Sequence, residues 1–133
     1  MTIFELERQL PNGFHDSQVS HIAIDYANRN VEIAIQIWVG DLESARPERE
    51  TYRSASLRLE GIEYFAIDMP DPSYRYETDT LTIDVHDETL NSPQPKQQNA
   101  FRFRMFVSQY NAFVHCCASS ATLTWQGDPF IMS

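Results

Sequence analysis

The sequence predicts a mainly β protein, a single-domain antiparallel sandwich or strongly curved sheet with a short N-terminal helix. Three observations carry this. Ile22 and Ile24, then Val31, Ile33, Ile35, Ile37 and Val39, recur at alternate positions on either side of a polar tetrapeptide. A period of two sets such side chains on one face of a pleated strand. The same alternation returns in Ala55-Leu57-Leu59, Leu81-Ile83-Val85 and Phe101-Phe103-Met105. Proline, glycine and asparagine fall between these runs, where turns require them. A chain of 133 residues fits one domain, 1–133, long enough to bury about two thirds of its unfolded surface.

Residues 2–9 read as one or two helical turns. Thr2 stands as N-cap with Glu5 three residues on, Ile3, Phe4 and Leu6 give an apolar side, and Pro11-Asn12-Gly13 stops the helix. The first hairpin turns at Ala27-Asn28-Arg29-Asn30, with its asparagines expected to supply left-handed backbone. Gly40 to Thr51 is polar and reads as a loop, or as a short exposed helix broken at Pro47. Tyr52 to Leu59 is a strand, Gly61 permits a bend, and Ile62 to Asp68 is a further strand ended by Pro70-Asp71-Pro72. Leu81 to Asp87 is a half-buried strand, and 88–99 is a polar loop with Leu90 as its one core-type residue. Phe101–Val107, Ala112–Ala118 and Ala121–Gln126 complete seven or eight strands. The expected core is Ile22, Ile24, Val31, Ile33, Ile35, Ile37, Leu57, Leu59, Leu81, Ile83, Phe101, Phe103, Phe113, Leu123 and Trp125. No internal repeat and no second domain is evident.

Nineteen acidic residues against ten basic ones give a formal charge of −9. Such a surface repels phosphate backbones, and Arg102 with Arg104 is too small a basic pair to reverse that, so no nucleic-acid partner is expected. A cationic protein is the partner class the charge favours. The N-terminus lacks a basic stretch followed by an apolar core, and no apolar run nears the roughly 20 residues that cross a bilayer. A cytoplasmic protein without membrane contact is therefore expected, and self-association into a homodimer is left open. Cys116 and Cys117 are adjacent, so a strand sends them to opposite faces, one buried and one half-buried, rather than into a mutual disulfide.

The chemistry-bearing residues are few. His15-Asp16 lies at the entry to the first strand, where loops collect working residues, and His86-Asp87 is a second such pair. Imidazole and carboxylate are ligands for zinc or iron, and histidine near its free pKa serves as a general base. A metal set of His15, Asp16 and His21 or His86 is the enzymatic alternative. The preferred reading is structural: Asp16 caps the turn after Gly13, with His15 as its neighbour. Asp84 and His86 are expected to face Arg102 and Arg104 across a ladder, and His115 to be an interior, hydrogen-bonded histidine. No serine has the strand-turn-helix setting of an activated nucleophile, and no phosphate loop, dinucleotide fingerprint or cysteine ligand set occurs, so no cofactor is expected. Trp38, Tyr52, Tyr64, Tyr74, Tyr76 and Tyr110 are many aromatics for this length; converging at the surface, they would form a partner-binding patch.

The segment Leu10-Pro-Asn-Gly-Phe-His-Asp-Ser-Gln-Val-Ser-His-Ile-Ala-Ile-Asp-Tyr26 resembles the opening of small bacterial β domains. In these a Phe-His-Asp-Ala-type turn leads into a strand, and some similar domains are grouped as immunity proteins of toxin systems. Ser17 stands here in place of the usual alanine. The resemblance implies a bacterial cytosolic protein without an established catalytic site, with His15 and Asp16 as its signature pair. Together these readings predict a non-catalytic protein-binding domain, of the immunity-inhibitor type directed at a basic toxin, with His15, Asp16, Trp38 and Tyr52 as binding residues. The competing expectation is the metal-dependent hydrolase.

Overall fold

The computed structural model describes residues 1–73, 81–87 and 93–132. Tyr74, Tyr76, Leu90 and the start of the 88–99 loop lie outside them. The elements are α1 (Ile3–Gln9), β1 (Ser17–Asp25), β2 (Asn30–Trp38), β3 (Thr51–Glu60), β4 (Tyr64–Ile67), β5 (Leu81–Asp87), β6 (Phe101–Val107), β7 (Ala112–Ala118) and β8 (Ser120–Ile131). All eight strands belong to one antiparallel sheet, ordered β4-β7-β6-β5-β1-β2-β3-β8. Of the two architectures the sequence allows, the single sheet is the one formed. No helix among the described residues is long and apolar enough to cross a membrane.

The order hides a simple plan. Strands β1-β2-β3 form one meander and β5-β6-β7 another, and they meet where β1 pairs with β5 through Ser17↔Ile83, Gln18↔Thr82 and Val19↔Leu81. Each meander then gives its next strand to the other: β4 follows β3 but pairs with β7, and β8 follows β7 but pairs with β3. The crossing links are only Gly61–Glu63 and Ser119. A link of three residues lets the strand ends it joins lie at most about 14 Å apart, so the two outer strands must approach each other at this end. The sheet therefore curls. At the crossing, Ser119 N–H and Oγ donate to Glu60 O at 2.8 and 3.1 Å. Gly61 has φ +64, and a Cβ there would overlap Ser119 Oγ. Both the left-handed backbone and the close approach require glycine.

The concave face holds one continuous core, with Val31, Ile33, Ile37, Leu59, Phe103 and Cys116 fully buried. Helix α1 adds Ile3 and Leu6 to it. The predicted cap forms as a reciprocal box, Glu5 N–H donating to Thr2 Oγ1 and Thr2 N–H to Glu5 Oε1. Leu10, held extended before Pro11, ends the helix. Ala121 N–H donates to Met1 O at 2.7 Å, fastening the start of the helix to β8.

Several expectations are corrected. Ile24 is 39% exposed, because at the hairpin tip it borders an open groove. Phe113 lies opposite Phe106, on the convex face beneath the Arg104 guanidinium at 4.5 Å; β7 is apolar on both sides, so alternation could not say which face was inward. In the first turn Arg29, not an asparagine, is left-handed, with φ 54. Arg29 O accepts from Ile62 N–H and its Nε donates to Ile62 O, while Asn28 binds the Asp25 carboxylate. Both cysteines are free and fully buried, and desolvation pushes both thiols up, Cys116 most strongly. His115 is part-exposed on the convex face, with Nε2 at 3.1 Å from both Asp68 carboxylate oxygens.

Glu63, at the crossing, holds the 93–100 segment: Lys96 N–H and Gln97 N–H donate to its carboxylate at 2.6 and 2.9 Å. Those bonds keep its pKa below the ordinary 4.5. A depressed carboxyl stabilises the fold above its unfolded pKa, and that contribution is lost as pH falls through the lower folded value. Urea melts from about pH 7 to about pH 3 should show Glu63→Gln losing less stability on acidification than the parent. An acid limb unchanged by the substitution would assign no such role to Glu63.

Candidate functional site

The turn between α1 and β1 brings His15 and Asp16 to the rim of the sheet. His15 N–H donates to Asn12 O and Ser17 N–H to Phe14 O, with Phe14 fully buried beneath. Asn12 Nδ2 donates to Trp38 O and Gly40 O at 3.2 and 2.7 Å, tying this turn to the end of β2. Asp16 is left-handed, φ 56, which reverses the chain into β1.

Asp84 of β5 completes the arrangement. His15 Nδ1 is 2.7 Å from Asp84 Oδ1, and His15 Nε2 is 3.4 Å from Asp16 Oδ2. Asp16 N–H donates to the same Asp84 oxygen at 3.3 Å. The turn is thus capped by a carboxylate from a distant strand, whereas the sequence had assigned that role to Asp16 itself. Asp84 lies opposite Phe106, not an arginine; only His86 meets Arg104.

Trp38 and Tyr52 are cross-strand partners beside this turn. The His15 and Trp38 rings are 6.2 Å apart, and Tyr52 OH donates to Asp16 O at 3.4 Å. The four residues predicted for binding are therefore neighbours. Yet Trp38 and Tyr52 are only 8% and 7% exposed, so they do not form the exposed aromatic patch considered above. The 39–50 loop covers Trp38: its Nε1 donates to Arg49 O at 2.7 Å, and Gly40 passes too close to Arg49 O and the indole to allow a Cβ. Burial, then Asp16 and Glu50, raise the Tyr52 pKa, keeping its hydroxyl a neutral donor.

His15, Asp16 and Asp84 can each offer a ligand atom within 4.8 Å of one another, the type of donor set a divalent cation accepts. His21 stands apart, exposed on β1 opposite Ala34. His86 shares a shallow groove with His15, Asp84, Glu7, Arg8 and Asn12 but is not in the donor set. Asp84 is the functional candidate that sequence reading missed; its position on the polar face of β5 was legible, but its partner lies 69 residues away.

The geometry separates the roles of the two aspartates. Asp84→Ala should cost about 1–2 kcal/mol by freeing His15 and leaving Asp16 N–H unpaired. Asp16→Gly should lie within about 0.5 kcal/mol of the parent, because glycine suits its backbone. Urea midpoints measure both, and the reverse ranking would restore Asp16 as the cap.

No protein-family model matches the chain, and no curated protein matches it. Among solved structures, the crystal structure of an uncharacterized protein from Neisseria gonorrhoeae is similar at TM-score 0.40 and 10% identity, over 83% of this chain and 91% of that one.

Proposed function

We propose that the chain is a non-catalytic protein-binding domain whose acidic surface meets a cationic protein partner. The observation that carries this reading is the combination of a net charge of −9 with large apolar side chains left bare, Tyr26 at 85% and Met69 at 88% exposure. Charge of one sign speeds encounter with its complement, and bare apolar groups supply contact once the partners meet. A cytoplasmic immunity-type inhibitor of a basic toxin is the narrower form of the proposal, supported by the resemblance of the Leu10–Tyr26 segment.

Affinity capture with the full chain from a lysate of its source cell, at low and high salt, tests the proposal. The expected result is a basic protein retained at low salt and depleted at high salt. No basic partner at either salt, together with turnover in a hydrolase screen, would overturn it. The second reading, a metal-dependent hydrolase, is favoured by one observation: the convergence of His15, Asp16 and Asp84. Elemental analysis of untagged protein purified without chelators distinguishes the two, stoichiometric zinc, iron or manganese supporting the hydrolase.

A further inference from the structure

Strand β4 is four residues long and ends the sheet. Asp68 N–H donates to Phe113 O on β7 at 3.0 Å. Backbone direction alternates along an antiparallel strand, so the N–H and C=O of Ile67 and Phe65 point away from β7. Among the described residues no strand occupies that side. Such an edge is a template for a further strand.

A groove runs beside it, between β4 and the tip of the β1–β2 hairpin, lined by Ile24, Tyr26, Val31, Ile62 and Phe65. Ile67 continues the Phe65 face of β4 and is 57% exposed. The groove's rim is anionic. Asp25 and Glu63 line it, and hydrogen bonds from Asn28 and from Gln97 and Lys96 hold these two carboxyls low. Arg29, the cation in the lining, has its Nε on Ile62 O. An apolar floor, a ladder edge that no described strand occupies and a negative rim together define a site for an extended segment with alternating apolar and basic residues. A second copy of this chain fits poorly, because each carries −9 and would set the same acids against themselves.

We infer that β4 receives an extended, lysine- or arginine-bearing segment of the partner protein as an added strand, its apolar side chains lying in the Ile24–Tyr26–Phe65 groove. This rests on the cationic-partner reading and specifies where and how the partner is held.

The test titrates the isotopically labelled full chain with a capped Lys-Val-Lys-Ile-Lys-Val peptide, followed by amide NMR. Shifts are expected at 24–26 and 62–67, with affinity at least about tenfold weaker for the peptide carrying glutamate in place of lysine. Two variants probe the edge: Ile67→Pro removes an outward N–H outside the β7 ladder, and Ile67→Lys keeps the backbone but adds a like charge. Each should weaken binding about tenfold or more while shifts elsewhere show the fold intact. Absence of binding, indifference to both variants, or equal affinity for the two peptides would overturn the inference. So would self-association through β4 without peptide. Binding of the lysine peptide on another face removes this site but leaves the cationic-partner reading standing. Addition at β4 with no basic protein captured from the cell does the converse.

Discussion

Replacing Ile35 with aspartate is expected to leave the chain unfolded at ordinary temperature. Ile35 is 2% exposed at the middle of β2, opposite Val19 on β1 and Ala55 on β3. A carboxylate there would meet only apolar side chains and would have to be protonated or hydrated in place. The expected cost, about 4–5 kcal/mol or more, is a large share of the roughly 5–15 kcal/mol by which a domain is ordinarily stable. Ile24→Asp is the informative control. It changes the same residue type on the same concave face of the same hairpin, but at the exposed tip, and should cost about 1 kcal/mol or less. Far-ultraviolet circular dichroism and urea melts measure the contrast; comparable losses at both positions would mean the core extends to the tip.

The second large effect is expected at the crossing of the two links. Gly61→Ala forces a side chain into left-handed backbone, a cost of about 1–2 kcal/mol. It also drives that side chain against Ser119, whose bonds to Glu60 O hold the crossing together, at about 1 kcal/mol more. The melting temperature should fall by about 10 °C. Adding Ser119→Gly relieves the overlap but not the backbone conformation, so the double variant should regain part of the loss. Full recovery would show that the left-handed conformation at residue 61 is not required.

Much of this fold could be read from alternation alone. Val31, Ile33, Ile35 and Ile37 declare their strand and its buried face, because the period of side-chain direction is a local property. Thr2 and Glu5 declare the helix start for the same reason. The strand order was not legible. Pairing β4 with β7 and β8 with β3 joins segments about 50 to 80 residues apart, and no local pattern encodes a choice between neighbours that all present apolar faces. Phe113 and Ile24 were misplaced for related reasons: one strand is apolar on both sides, and a hairpin tip outruns the layer that covers it. At the candidate site, His15-Asp16 could be recognised as a turn, and Trp38 and Tyr52 singled out, from residue type. That Asp84 supplies the cap and that the 39–50 loop hides Trp38 are tertiary facts.

The exchange of β4 and β8 has a consequence for what counts as a part of this molecule. Neither meander owns its outer strand, so cutting the chain between β4 and β5 would not divide it into independent halves. One fragment would carry β1 to β4 and the other β5 to β8, each lacking the strand that finishes its own sheet and holding the one that finishes the other's. Such fragments are expected to complement each other: mixing them should rebuild one cooperative unit, whereas either alone would keep an uncompleted sheet edge. In assembly terms, the monomer is a strand-swapped pair whose two members share one continuous backbone.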